Sequence, residues 1–552
     1  MRTILSALSA IAAFAIIAIG LGLRGEISDG RWLAVLAISW LLLLLASRIP
    51  LAGSMPAFNR SLIRTALVLA TVFIVISAQL VRIQVVRSDD TFYRTAEAPN
   101  GEIIGNPRIG NAELAVDRGD IVDRNGAIIA QSEREGDVYV RTYPDPSTAY
   151  VAGYYSPLLF GASGIEAAAN AELTGRQGNN PVTRSMNSLL NRPQQGMTVG
   201  LTLDAELQAN AQAMLGDSRG SVVVMDVKTG EVMVLASAPA YDPNQLFTAS
   251  TADNDGATAY WERLGASPDA PLVQRSTQGR YIPGSTFKTV TAAIGIEAGY
   301  IEPDDLYEDN GEITIDGRVL VENNRPDDTR DQWTVAEGLA WSLNVVFAQM
   351  GLEIGATDFW DYSRDFGFGA PIPFDLPVAQ SQIAGSREFL SDDNALADTA
   401  FGQGELLASP LHMAMITSVY VNGGQMAQPY LVDRVIDQDR DIISRTEPRI
   451  WRQSVSAETA ADVETMMVGA VTNGSVSGAA ADGYRIGGKT GTAETGGGSA
   501  HSWFIGFIGN DEPRYAVAVI LEEGGGGLSD AVAIGRDILV ATMESNRESP
   551  SR

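Results

Sequence analysis

Three apolar runs within the first 87 residues constrain this chain more than anything else in it. Residues 4–23 form a charge-free stretch behind Met1-Arg2-Thr3, residues 32–47 form a second, and residues 67–81 are the centre of a third between Arg64 and Arg82. About 20 apolar residues in a helix span a bilayer. Backbone in lipid must satisfy its own hydrogen bonds, so such runs become helices. The spacing predicts three membrane helices. A cleavable signal is the competing reading of the first run, but its apolar core exceeds the usual ~7–15 residues and no polar cleavage region follows it. Arg48, Arg60 and Arg64 lie between the second and third runs with no acidic residue among them, whereas the first loop (Arg24, Glu26, Asp29, Arg31) is balanced. Positive-inside bias then puts the N-terminus and the second loop in the cytoplasm. Three crossings leave everything after Arg87 outside.

The remaining chain is too long for one typical domain. Residues 88–200 are polar, with Gly, Asn and Pro punctuation, and no nucleophile–base pair stands out there. They are expected to form a non-catalytic extracytoplasmic spacer domain. Its clearest feature is a strand, an Asn125-Gly126 turn and a returning strand. Residues 201–545 are expected to form the main α+β domain, and residues 546–552 a disordered tail. A helix over 205–215 and a hairpin around Lys228-Thr229-Gly230 should open the main domain. Strands over 485–492, 503–509 and 515–521 and a helix over 529–543 should close it.

Composition then narrows the chemistry. There is no cysteine, hence no disulfide framework, thiolate zinc site or cysteine nucleophile. A net charge of −28 argues against nucleic acid as a partner. Of 39 basic residues only Lys228, Lys288 and Lys489 are lysine. Arginine stays charged in proteins whereas lysine can lose its proton, so lysines kept in an arginine-rich chain suit acid–base work.

Lys288 lies in Tyr281-Ile282-Pro283-Gly284-Ser285-Thr286-Phe287-Lys288, followed by Val290, Ala293, Ile294 and Ile296 at helical spacing. A helix should begin after Gly284 and carry Ser285 and Lys288 on one face. A serine hydroxyl needs a neighbouring base to become a nucleophile, and a buried lysine can be that base. Ser-x-x-Lys alone is a weak signal. Two further stretches strengthen it: Ser342-Leu343-Asn344, expected near a helix start or connection in a helical region over 331–351, and Lys489-Thr490-Gly491-Thr492, expected on an edge strand where Gly491 lets another backbone approach.

Two decoys fail on context. Gly483 to Thr490 fits the phosphate-loop expression, which requires a strand before it and a helix after it; here a glycine run and a strand follow. Gly216-Asp217-Ser218-Arg219-Gly220 fits the hydrolase elbow but has a helix before and a strand after, the reverse order. With only His412 and His501 in the chain, a His-dependent triad has few candidates.

Taken together in this order, the three stretches resemble the serine β-lactamase and penicillin-binding set. Gly230-Glu231, Tyr241-Asp242-Pro243-Asn244, Phe401-Gly402-Gln403-Gly404 and His501-Ser502-Trp503-Phe504 look like further landmarks of the penicillin-binding transpeptidases. The segment from Arg118 to Gly126 is similar to the pedestal of class B members. The resemblance covers roughly residues 88–545. It implies a penicillin-binding/β-lactamase-like α+β fold, an antiparallel sheet flanked by helices plus a mostly helical subdomain. It implies D,D-transpeptidation of D-Ala-D-Ala stem peptides of peptidoglycan, inhibited by β-lactams, without cofactor or metal. Ser285 would be acylated, Lys288 would be its base, and Ser342 would relay a proton with Lys288 and Lys489. Asn344 would bind the donor amide, Lys489, Thr490 and Thr492 would hold the terminal carboxylate, and Gly491 would complete that strand. A membrane glycosyltransferase of the division or elongation machinery is the implied protein partner. Class B members usually have one membrane helix, so three runs are a departure. The alternatives are a β-lactam sensor, which should carry a cytoplasmic effector domain, and a serine β-lactamase, whose class A Glu-x-x-x-Asn pattern does not occur between Asn344 and Lys489.

Overall fold

A computed structural model describes residues 2–22, 27–87, 96–97, 103–104, 108–176, 195–250, 254–494, 498–525 and 530–548. The chain divides into two compact units, Met1–Ala115 with Gly178–Gln194, and Val116–Gln177 with Gln195–Arg552.

In the first unit, helices α1 (Arg2–Gly22), α2 (Asp29–Ala46) and α3 (Ala57–Val81) are long and apolar enough to cross a membrane. The third begins ten residues before its apolar centre. Ile4, Phe14, Leu41 and Phe73 face outward, as helices in contact with lipid should. Polar groups are paired within the bundle: Trp32 Nε1 donates to Gln79 Oε1 (2.6 Å), and Asp29 pairs with Arg82 (3.1 Å) and Arg87 (2.6 Å). These contacts bring the start of α2 beside the end of α3, so the two helices run antiparallel. The bundle fits a membrane anchor.

In the second unit the strands are β1 (Ile121–Val122), β2 (Ile128–Glu135), β3 (Val138–Thr142), β4 (Thr198–Leu201), β5 (Gly220–Asp226) and β6 (Val232–Ala238). They continue as β7 (Glu312–Ile315), β8 (Arg318–Val321), β9 (Val432–Ile436), β10 (Ile442–Arg445), β11 (Arg485–Ala493), β12 (His501–Gly509) and β13 (Pro513–Leu521). The helices used below are α4 (Ala205–Leu215), α5 (Lys288–Glu297), α6 (Val335–Trp341), α7 (Asn344–Asp365), α8 (Asp393–Ala400), α9 (Pro410–Tyr420), α10 (Ala457–Asn473) and α11 (Asp530–Glu548).

The central sheet is antiparallel, in the order β6-β5-β13-β12-β11. Side chains alternate across a strand, and both faces here are buried. Val222, Val224 and Val517 pack with Leu207 of α4 and Ile538 and Leu539 of α11. Val223, Met225 and Ala518 pack with Met413 and Met415 of α9 and with α5. Helix α5 is buried nearly all round, with Val290, Ala292, Ala293 and Ile294 fully covered. Its hydroxyls find partners inside the fold, Thr291 Oγ1 donating to Ala400 O (2.7 Å). A polar side chain can sit there because its hydrogen bond is made.

A second sheet runs β10-β9-β4-β1-β2-β3. Strands β9 and β10 come from beyond residue 430, so this sheet is shared across the 200/201 limit read from composition. The Asn125-Gly126 turn is closed by Asp123 Oδ1, which accepts from Asn125 N (2.7 Å) and Ala127 N (2.8 Å). Under the sheet lies a buried ion cluster. Glu166 meets Arg118 (2.6 Å), Arg141 (2.5 Å) and the Tyr143 hydroxyl (3.2 Å), with all three charged groups nearly inaccessible. Burial alone would push the Glu166 carboxyl up, but Arg141 and Arg118 outweigh it and hold it below the usual range.

Helix α11 continues through the start of the expected 546–552 tail to Glu548. No helix breaker occurs before Pro550, and Ser545 Oγ reaches Asp204 Oδ2 (3.3 Å). Residues 549–552, and most of 88–107 and 177–194, lie outside the described residues.

Removing the Glu166 charge takes away the carboxylate paired directly with two buried guanidinium groups, a loss of about 3–5 kcal/mol. Glu166→Gln should therefore lower the urea midpoint of the detergent-solubilised protein substantially. A midpoint equal to that of the parent would show the cluster to be energetically idle.

Candidate active site

Ser285 sits in a tight 3-10 turn, Gly284–Phe287, that leads directly into α5 at Lys288. The α-helix thus starts three residues later than its periodicity suggested. In a 3-10 turn residues i and i+3 eclipse, so Ser285 and Lys288 still share a side. The turn is anchored from several directions. Tyr281 and Ala408 exchange backbone hydrogen bonds (3.0 and 2.9 Å), Gly284 N donates to Gly402 O (2.9 Å), and Trp503 Nε1 donates to Ile282 O (3.0 Å).

The second motif breaks the helix expected over 331–351. Strand residues Gln332–Thr334 precede α6, which ends in a Schellman closure: Leu343 N donates to Gly338 O (2.8 Å) and Ser342 N to Leu339 O (3.2 Å). That closure puts a residue in the left-handed conformation, usually glycine. Here it is Ser342, at φ 64° and ψ 40°, at a cost of about 1–2 kcal/mol. Asn344 then opens α7. The break points both side chains of the motif at one amine. Lys288 Nζ donates to Ser342 O (2.6 Å), to Ser342 Oγ (3.3 Å) and to Asn344 Oδ1 (2.7 Å). Because Asn344 Oδ1 accepts from lysine, its NH2 group is left for another partner. Among the described residues no hydrogen bond joins Ser285 to Lys288.

Strand β11, on the sheet edge as expected, carries the third motif. Gly491 and Gly284 permit the contact between this edge and the serine turn. A Cβ on Gly491 would lie 2.6 Å from Pro283 O, and one on Gly284, at φ +57°, would lie 2.4 Å from Thr492 O. Thr492 O accepts from Gln403 Nε2 (3.2 Å). A strand residue's N–H and C=O point the same way, so the Thr492 N–H is also directed away from β12, towards the serine turn. Lys489 is fully buried and donates to Thr490 O (3.1 Å).

These residues converge on one cleft of about 810 Å³, lined by Ser285, Ser342, Asn344, Thr490 and Thr492, with Trp341, Phe401, Gln403, Ser475 and Glu494 around them. Lys489 lies behind this lining rather than in it. The electrostatics follow from burial. The Lys288 amine is lowered to about 7, chiefly by desolvation, with the Glu322 carboxylate acting in the opposite direction. Lys489 is lowered well below the usual lysine range by burial and then by the neighbouring Lys288. The decoys are disposed of by position: Lys489 is mid-strand in β11, and Ser218 lies in the turn between α4 and β5.

Two residues that sequence reasoning missed support the Ser342 turn from the strand end after β8. Glu322 Oε2 accepts from Val345 N (3.0 Å), and Asn324 Nδ2 donates to Ser342 O (3.0 Å). One signal was available: Leu343, at the N-cap of α7, has no side chain to cap a helix, so an acceptor had to come from elsewhere. Arg318 and Asp398 form a bidentate pair (2.7 and 2.6 Å) between β8 and α8 at the cleft wall.

With this geometry in hand, similarity to known proteins becomes informative. Residues 220–540 match the penicillin binding protein transpeptidase domain, and residues 118–199 match the penicillin binding protein A dimerisation domain. The chain is 33% identical over 458 residues to the peptidoglycan D,D-transpeptidase PbpA of Mycolicibacterium smegmatis, covering 79% of this chain and 91% of the relative. It is 34% identical over 460 residues to PbpA of Mycobacterium tuberculosis, covering 80% and 91%. Among solved structures, a ceftriaxone acyl-enzyme complex of M. tuberculosis penicillin-binding protein A superposes with TM-score 0.71 at 30% identity, covering 78% of this chain and 99% of that one. The D,D-transpeptidase domain of a peptidoglycan glycosyltransferase from Eggerthella lenta gives 0.69 at 32% identity, covering 78% and 99%. Neither the sensor nor the β-lactamase alternative gains support. A cleft in which a serine turn, a Ser-Leu-Asn break and a Lys-Thr-Gly-Thr edge meet, set in a fold shared with acyl-enzyme complexes, leads to one conclusion: the chain belongs to the penicillin-binding transpeptidase family and is a serine D,D-transpeptidase of peptidoglycan that binds β-lactams.

Proposed function

We propose that Ser285 is the acylated residue of this D,D-transpeptidase and that Lys288 is the base that activates it. The observation that carries the reading is the placement of the Lys288 amine, fully buried and held between Ser342 and Asn344 beside the serine turn, where burial lowers it to about 7. A neutral amine has two N–H donors and one lone pair. Its longest contact, to Ser342 Oγ, is the one to reorganise as the lone pair takes the Ser285 proton. The Ser285 oxygen then attacks the carbonyl of the D-Ala-D-Ala bond. The oxyanion is received by the Ser285 and Thr492 N–H groups at the junction of turn and strand, donors fixed before reaction begins. Ser342 passes the proton from Lys288 to the departing D-alanine amine. A neighbouring stem-peptide amine attacks the ester, Lys288 again serving as base, and the cross-link leaves Ser285 free.

The other site residues divide the binding work. Asn344 offers its NH2 group to the donor peptide carbonyl. Thr490 and Thr492 offer hydroxyls to the terminal carboxylate, and Gly491 keeps the strand close to the turn. Lys489 contributes from beneath. Burial and the neighbouring Lys288 lower its amine, and a carboxylate arriving beside it would favour the charged form. The membrane reading is supported by the arginines of the 47–56 and 57–66 stretches and by the antiparallel α2 and α3. It puts the N-terminus in the cytoplasm and residues beyond 87 outside, in a bacterial cell membrane. Residues 88–200 are then a pedestal, residues 201–545 the transpeptidase domain, and a membrane glycosyltransferase the partner that supplies glycan strands.

Ser285→Ala should abolish covalent labelling by a fluorescent penicillin; retained labelling refutes the assignment. The second-order acylation rate should be flat above pH 7 and fall about ten-fold per unit below it, as Lys288 becomes protonated, and Lys288→Ala should acylate very slowly at every pH. A rate independent of pH between 5 and 8 would remove Lys288 as the base. Intact-mass spectra after penicillin treatment should retain the adduct for hours, whereas rapid loss would mark a β-lactamase.

A further inference from the structure

Glu322 is one of the charged residues the reaction scheme leaves unused, yet the residue is only 7% exposed. A carboxylate is rarely taken out of water without reason. Its oxygens are fully employed on backbone donors: Oε1 accepts from Asn323 N and Asn324 N (2.9 Å each), and Oε2 accepts from Val345 N (3.0 Å). The last bond matters most. Val345 N is an orphan donor in the first turn of α7, the kind an N-cap side chain normally satisfies. Leu343 occupies the N-cap and cannot do so. The acceptor is supplied instead from 21 residues earlier in the chain, by the segment following β8.

That segment also touches the amine's own ligands. Asn324 Nδ2 donates to Ser342 O, the same carbonyl that accepts from Lys288 Nζ. Asn344, the neighbour of Val345, supplies the second acceptor of that amine. Two of the three Lys288 contacts are therefore held in place through residues 322–324. We propose that Glu322 is a positioning residue for acylation, its carboxylate serving as the missing N-cap of α7 and as a counter-charge to the Lys288 amine. The inference rests on Lys288 acting as the base of Ser285.

Among the described residues the charged groups coupled to Lys288 are Glu322, from the segment after β8, which raises it, and Lys489, from β11, which it lowers. Burial lowers the amine and Glu322 raises it, so the carboxylate limits how far desolvation carries the base below neutrality. Removing its charge should lower the amine further. The protonated fraction at a given acidic pH then falls, and the acid limb of acylation moves to lower pH. A residue that only stiffened the cleft would reduce the plateau rate and the melting temperature without moving that limb.

The test is the pH dependence, from 5 to 9, of the second-order rate of acylation by benzylpenicillin in the full-length, detergent-solubilised protein, for the parent and for Glu322→Gln. The expected result is an acid limb near 7 in the parent, displaced by about 0.5–1 unit to lower pH in Glu322→Gln, with a lower plateau. Relative to its own plateau the variant would then be about three- to ten-fold faster below the limb. Glu322→Asp retains the charge but withdraws it by one methylene. It should shift the limb in the same direction by less, and it decides the matter if the glutamine variant does not fold. An acid limb unmoved in the folded variants overturns the inference alone. A parent without any acid limb overturns the base assignment, and this inference with it.

Discussion

The site depends on the placement of an amine where water cannot reach it. A charged ammonium in a dry interior is costly unless paired, and the usual response is to give up the proton. Lys288 is enclosed by α5, α6, α7 and β11, and its three acceptors are a carbonyl, a hydroxyl and an amide, none of them charged. Lys489 lies nearby, equally buried, and its amine is lowered by burial and by the neighbouring Lys288. The energetic penalty of burial thereby becomes a chemical property: an amine lowered to about 7, which suits the proposed role of a base.

The rest of the second unit can be understood as a scaffold for that amine and for the serine on the preceding turn. The five-stranded sheet, buried on both faces, fixes the β11 edge. Gly284 and Gly491 let that edge approach the serine turn more closely than any side chain would allow. At the site, strain is placed at Ser342, whose left-handed conformation brings its hydroxyl and carbonyl to the same amine. Strain of this kind survives only where surrounding contacts over-determine it. Here they include the Schellman closure, the Asn324 hydrogen bond and the capped start of α7.

Much of this was legible in the sequence, for physical reasons that differ by element. The membrane helices were plain because lipid permits few alternatives for a long apolar run. Strands β5, β12 and β13 were plain because β-branched and aromatic residues cluster there between turn residues. Ser285, Ser342 and Asn344 line one cleft, with Lys288 and Lys489 buried behind it, because their spacing reflects one geometry. What the sequence obscured was tertiary. A helix start or connection near Ser342 was expected, but the left-handed turn and the closure around Gly338 that form it were not. Glu322 looks like a solvated strand end, and only the empty cap at Leu343 hints that a carboxylate is needed. Lys489, read as a grip for a carboxylate, lies beneath the cleft lining because alternation along β11 turns Thr490 and Thr492 outward and the lysine inward. The final helix outran its expected end because Pro550 is the first residue able to stop it.

The claim that a buried amine activates Ser285 facing the β11 edge is tested most directly by a crystal structure of the penicillin-treated protein. The account predicts density continuous from Ser285 Oγ into the opened lactam, with the ester carbonyl oxygen within hydrogen-bond reach of both the Ser285 and Thr492 N–H groups. Lys288 Nζ should stand within reach of Ser285 Oγ. Density attached to another side chain, or an ester oxygen turned away from Thr492 with Lys288 withdrawn, would contradict it.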